Sequence, residues 1–142
     1  LNYAIGVAHK LEIEKPKAVL LSAVEKVNPK MPSTTESAII AKMADRGQIK
    51  GAIVDGPLAL DVAFSEESAR IKGLVSPVAG DADILVFPSI EAGNIFFKTC
   101  TYLAKAELGA VVAGANCPCV LTSRGDSEDT KFYSIALASL LT

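Results

Sequence analysis

Apolar residues recur along this chain in two rhythms, one helical and one that of buried strands. Leu1, Ala4, Ile5, Ala8 and Leu11 share a helical face, and Pro16 closes the connection to Ala18-Val19-Leu20-Leu21-Ser22, an unbroken apolar run of strand length. A strand apolar at every position is buried on both faces, which marks a parallel sheet covered by helices. Asn28 to Pro32 reads as an irregular loop, and Ser33-Thr34-Thr35-Glu36 fits a capping box. A helix with Ile39, Ile40 and Met43 as its apolar stripe comes next, stopped by Gly47. Gly51 to Val54 is a second buried strand ending in the turn composition Asp55-Gly56-Pro57, which places Asp55 at a strand's carboxyl end. Ser65 then opens a short helix with acids early and bases late, through Lys72 to Gly73.

Ala82 to Phe87 forms a third apolar strand, stopped by Pro88. The composition predicts a helix over 95–108, with Ile95, Thr99, Tyr102, Leu103 and Ala106 on its inner face, Asn94 as a possible cap and Gly109 as its stop. After an extended crossing over 109–114, Cys119 to Thr122 reads as a strand, 123–131 as a turn, and the rest as a helix with Phe132, Ile135, Ala136, Leu140 and Leu141 at helical spacing. Alternation of this kind predicts a layered αβα fold with a mainly parallel sheet.

The totals narrow the partners. Half of the 142 residues are apolar, enough for a buried core, and the net charge of −2 is spread among interspersed acids and bases. No field is built to attract nucleic acid or an anionic membrane, and no apolar run approaches a membrane span. Three cysteines, two of them in Cys117-Pro118-Cys119, make no disulfide framework; free thiols and a cytoplasmic location are expected. A second cysteine pair is absent and His9 lies far off in sequence, so no metal site is predicted. Neither a Gly-x-Gly-x-x-Gly nor a Walker loop occurs, which removes ordinary dinucleotide and P-loop readings. The chain begins without methionine, already in helical periodicity, and is read as a piece of a longer polypeptide.

Chemistry concentrates in Ser123-Arg124-Gly125-Asp126-Ser127-Glu128-Asp129, where a hydroxyl, a guanidinium and several carboxylates share a strand-end turn. Ser127 or Asp126 can cap the following helix and leave its first amides aimed at an anion; the plainer reading is a capped helix with acids in its first turn. Asn94 and Lys98, one turn apart, form a second candidate anion site, against the plainer reading of a cap and one exposed lysine.

Four blocks in order carry a resemblance: Asp55-Gly56-Pro57-Leu58-Ala59-Leu60-Asp61, Gly80 to Pro88, Gly93-Asn94-Ile95-Phe96-Phe97-Lys98, and Ser123-Arg124-Gly125. Together they resemble the phosphate acetyl/butyryltransferase family over nearly the whole chain, and the first block is most like the phosphate butyryltransferase or branched-chain members. The resemblance implies transfer of a short acyl group between coenzyme A and inorganic phosphate, with both as substrates and no tightly bound cofactor. It implies a two-domain fold similar to isocitrate and isopropylmalate dehydrogenases, of which this chain is the C-terminal part. Residues 1–108 would be the inserted second domain and 109–142 the segment that returns to complete the first, whose N-terminal part is absent.

By the same resemblance Ser123 is an oxyanion donor, Arg124 binds phosphate or a polarised carbonyl, and an acid beyond them takes the thiol proton. The register shifts here. Thr130 occupies the aligned position of acetyl-type members, leaving Asp129 as the assigned base and Asp126 as its rival. Gly93, Asn94 and Lys98 would bind coenzyme or phosphate, joined by Asp55 and Gly56 as substrate-binding positions. The apolar first helix offers a contact surface for a homo-oligomer. Two other readings are a non-catalytic domain binding acyl-coenzyme A or a phosphorylated ligand, and an acyl-phosphate synthase using acyl-carrier protein. Cys117 and Cys119 are read as packed thiols, not as covalent nucleophiles.

Overall fold

β1 (Lys17–Leu21) is the central strand of a three-stranded parallel sheet in the order β2-β1-β3, with β2 at Ile53–Leu58 and β3 at Ile84–Val86. A computed structural model describes all residues, 1–142, in two compact units, Leu1–Ile90 and Glu91–Thr142. In the first unit, alternation along β1 divides the core. Ala18 and Leu20 face a cluster with Val54, Ile84 and, from α1 (Asn2–Lys10), Ile5 and Ala8. Val19 and Leu21 face Leu58, Val62, Ala63, Ala69 and Val78 on the other side. α2 (Pro32–Asp45) adds Ile40, Ala41 and Ala44 to the first layer, while α3 (Leu60–Phe64) and α4 (Glu66–Ile71) build the second. Helices thus cover both faces of a parallel sheet, as an all-apolar strand requires. On the α1 face read as a subunit contact, Ile5 and Ala8 are buried in this layer, Leu1 and Ala4 are half-buried, and Leu11 is exposed.

Several local readings change. α2 starts with Pro32 at its first position and has no side-chain cap. Ser33 instead meets the Ser22 hydroxyl at 2.8 Å, and the buried Thr34 hydroxyl accepts from the Asn28 amide at 2.8 Å, so the residues of the expected capping box tie down the loop after β1. In α2's stripe Ile39 and Met43 are exposed and only Ile40 packs. β2 runs on through Asp55-Gly56-Pro57 to Leu58, so Asp55 is a mid-strand residue. The register of β1 on β2 shifts between Val19 and Leu21, and a Cβ on Gly56 would lie 2.6 Å from Leu20 Cβ and 2.7 Å from Leu20 O. Glycine is what lets the two strands close at the irregularity.

In the second unit, α5 (Ile90–Lys98) begins before Asn94, and a π-helical turn over Thr99–Leu103 replaces the rest of the expected helix. Asn94 is therefore a helix-interior residue and not a cap. Lys105, at φ 55°, ends the coil. Gly109 serves a close approach instead: a Cβ there would lie 3.0 Å from Tyr133 O. Beside it, Ala110 N–H donates to Ser134 Oγ at 2.9 Å, and that hydroxyl donates to Thr130 O at 2.6 Å. α6 (Glu128–Leu140) accordingly buries Thr130, Ser134 and Ala138, leaving Phe132, Ile135 and Leu140 exposed, the reverse of the apolar face read from spacing. Ile95, Tyr102 and Leu103 are exposed as well. Cys119–Thr122 forms no strand in a sheet; Cys119 makes one antiparallel bridge to Val112.

Two outcomes are expected for stability. Gly56→Ala should cost about 1–3 kcal/mol, because its clash is with backbone, and urea unfolding would detect it. Lys72 Nζ holds Glu25 and Asp61 at 2.8 and 2.9 Å. Their hydrogen bonds to Lys72 hold both carboxyls below their ordinary values. Depressed carboxyls contribute stability above their unfolded pKa and lose it as pH falls through the folded one. Lys72→Met should therefore lower the urea midpoint at neutral pH, and the deficit should shrink towards about pH 3.

Candidate active site

The loop before α6 folds on itself. Asp126 N–H donates to Ser123 O at 3.1 Å, and Ser123 N–H donates to Asp126 Oδ2 at 2.8 Å, a reciprocal pair that closes Ser123-Arg124-Gly125-Asp126 into a tight turn. Ser127 then caps α6, its Oγ accepting from Thr130 N–H at 3.1 Å. Capping thus falls to Ser127, which frees Asp126 to hold the turn. The turn leaves Ser123 and Arg124 exposed.

Asp126 has a second partner. Lys98 Nζ, at the end of α5, stands 3.6 Å from Asp126 Oδ1, whose side chain is only 7% exposed. That is too long for a hydrogen bond and close enough for an ion pair. The ammonium also lies 4.3 Å from the Phe97 ring centroid and 5.9 Å from that of Tyr102. Two motif blocks well separated in sequence, 93–98 and 123–126, therefore meet through one carboxylate.

Beside this junction lies a cleft of about 340 Å³, within the range of small-ligand sites. Its walls come from the π-helical turn (Thr101, Tyr102), from Lys105 and Glu107, and from the start of α6, including Asp129. A π-turn widens the helix by one residue and redirects these side chains. The Tyr133 phenol is pushed above its ordinary pKa, first by the charge of Glu107, then by burial and by Asp129. No cluster of three or more histidine, cysteine, aspartate or glutamate side chains is arranged to hold a metal ion.

The Phosphate acetyl/butaryl transferase family model matches residues 2–139. The chain belongs to this family. It is 54% identical over 141 residues to the phosphate butyryltransferase of Clostridium acetobutylicum, covering 99% of this chain and 47% of that protein. It is 55% identical over 140 residues to the phosphate acetyltransferase of Thermotoga maritima, covering 99% and 48%. The crystal structure of a branched-chain phosphotransacylase from Enterococcus faecalis V583 superposes with a TM-score of 0.88 at 42% identity, covering 98% of this chain and 51% of that one. The chain spans about half the length of the curated relatives it matches.

In the second unit Lys98, Ser123 and Asp126 are joined by contacts and Asp129 lines the cleft; Arg124 is exposed in the turn, neither Ser123 nor Arg124 lines the cleft, and Gly93 and Asn94 stand on α5 ahead of Lys98. Asp55 and Gly56 belong to the first unit, where Asp55 is already engaged: Ser76 Oγ donates to its Oδ2 at 2.6 Å and Gly56 N–H to its Oδ1 at 2.8 Å. Reading the sequence missed the back-bond of Asp126 to Ser123, the π-turn and the Glu107–Tyr133 contact. Only the first left a signal, an aspartate three residues after a serine in a Gly-containing turn.

Glu107→Gln should bring one of the three tyrosines, Tyr133, back towards an ordinary phenol pKa while Asp129 retains part of the rise. Ultraviolet titration of tyrosinate would register it as one transition moving to lower pH.

Proposed function

We propose that this chain is the C-terminal portion of a phosphotransacylase that interconverts acyl-coenzyme A plus phosphate with acyl phosphate plus coenzyme A, the acyl group being butyryl or branched. The observation that carries the reading is the meeting of Lys98 with the Ser123–Asp126 turn in a chain of this family. The whole protein would have the two-domain, dehydrogenase-like fold. Residues 1–108 would be its inserted domain and 109–142 its returning segment, a division distinct from the compact units of this chain. A cytoplasmic homo-oligomer with no tightly bound cofactor completes the proposal. No helix of this chain is long and apolar enough to cross a membrane.

In the direction of thioester formation, the coenzyme thiol gives its proton to a carboxylate and the thiolate attacks the acyl phosphate carbon. The Ser123 hydroxyl donates to the oxyanion of the tetrahedral centre, and Arg124 offers two parallel N–H groups to the departing phosphate. Asp129 suits the base better than Asp126. Asp126 is nearly buried and committed to Ser123 N–H and Lys98, whereas Asp129 is exposed on the cleft wall. Thr130, at the shifted position, is buried and bonded to Ser127. Gly93, Asn94 and Lys98 would bind coenzyme or phosphate, with Asp55 and Gly56 as further substrate-binding positions.

The reading is tested by coenzyme A release from butyryl-, isobutyryl- and acetyl-coenzyme A, with and without phosphate, using the longest polypeptide the source encodes. Phosphate-dependent release fastest with a four-carbon chain is expected. Binding of coenzyme A without release would favour the non-catalytic ligand-binding reading. Ser123→Ala should lower kcat by about 3 kcal/mol of transition-state stabilisation with a smaller change in KM, and Arg124→Lys should also be costly. Asp129→Asn should abolish the acid limb of the kcat–pH profile, whereas Asp126→Asn should lower kcat and keep that limb.

A further inference from the structure

Cys117 and Cys119 flank Pro118, and their sulfurs lie 3.8 Å apart. Contrary to the reading of both as packed thiols, Cys117 is exposed and only Cys119 is half-buried. The proline fixes its own φ, so little chain freedom separates the two side chains. Val112 N–H donates to Cys119 O at 2.9 Å in the antiparallel bridge, which pins the arc from its other side. Nothing in acyl transfer uses either sulfur, and Cys119 is four residues ahead of Ser123.

We propose that Cys117 and Cys119 are a reversible modification site, a dithiol that hydroperoxides convert into an intramolecular disulfide. The exposed Cys117, as thiolate, attacks one peroxide oxygen; the O–O bond breaks and water or an alcohol leaves, giving a sulfenic acid. Cys119 sulfur then displaces water from it, closing the S–S bond, so the two thiols together lose two electrons and two protons to the peroxide. The Cys119 thiol is held above its ordinary pKa by its contact with Cys117 and then by burial, in keeping with a resolving partner that acts second. Covalent closure needs the sulfurs at about 2.05 Å, and a bridge over a single residue is strained, so thiols reduce it readily. Such a bond is easily reset. Its consequence for activity rests on the transferase reading: a closed ring fixes the backbone at Cys119, and three residues carry that constraint to Ser123.

The test uses the full-length polypeptide, reduced, then treated with hydrogen peroxide, alkylated and digested with trypsin. The peptide 106–124 holds both cysteines and no other. Expected is a peptide lighter by two hydrogens that takes no alkyl group, regains two alkylation sites after dithiothreitol, and is lost on Cys117→Ser or Cys119→Ser but not on Cys100→Ser. Oxidation of Cys117 to a sulfinic acid or a mixed disulfide, with Cys119 still alkylated, would overturn the proposal. On the same samples, acyl transfer should fall several-fold on oxidation and return on reduction. A complete disulfide with undiminished transfer would refute the coupling to Ser123. Absence of transfer before oxidation would count against the transferase reading alone, since the peptide mass reads the thiols independently.

Discussion

Burial of β1 on both faces is the constraint from which the first unit is built. Ala18 and Leu20 need a helical layer on one side and Val19 and Leu21 need another, so α1 and α2 must lie opposite α3 and α4. β1 is also the middle of three strands, so both of its backbone edges are paired as well. Its close fit with β2 then demands glycine at position 56. The Asp55–Ser76 and Asp55–Gly56 hydrogen bonds tie that irregular strand to the loop beyond it.

The second unit is held by polar contacts to a greater degree. Ser134 bonds both to its own helix and to the crossing segment at Ala110, and Asp126 bonds both to its own turn and to Lys98. The carboxylate of Asp126 is thereby committed to two partners and anchors the residues that precede it. The two neighbouring acids have different surroundings, one satisfied and nearly buried, the other, Asp129, open to the cleft.

Where burial on both faces dominates, the sequence was an adequate guide: the three parallel strands, α1, the Ser65 cap of α4 and the left-handed Gly47 after α2 all accord with periodicity and caps. The reading failed where one face had to meet backbone. α6 turns Ser134 inward to accept from the crossing segment's Ala110 N–H, which Phe132 and Ile135 could not do, and Thr130 turns inward with it, its hydroxyl bonded to Ser127. The helix over 95–108 failed for another reason: nothing in composition distinguishes an α-turn from a π-turn. Of the candidate site, the family blocks were legible as motifs, and the junction of Lys98 with Asp126 was not, since it depends on a contact between segments distant in sequence.

The π-turn at Thr99–Leu103 makes chain length itself a property of the cleft. Its bonds reach one residue further than in a regular helix, as in the Ala104 N–H to Thr99 O bond at 3.1 Å. Removing a single residue from this turn would restore ordinary helical winding, in which each residue rotates the remainder of the segment by about 100° about the axis. Tyr102, Lys105 and Glu107 would be carried away from the Asp126 junction with every side chain chemically intact. Insertions and deletions in this stretch would thus reshape the cleft more sharply than most point substitutions.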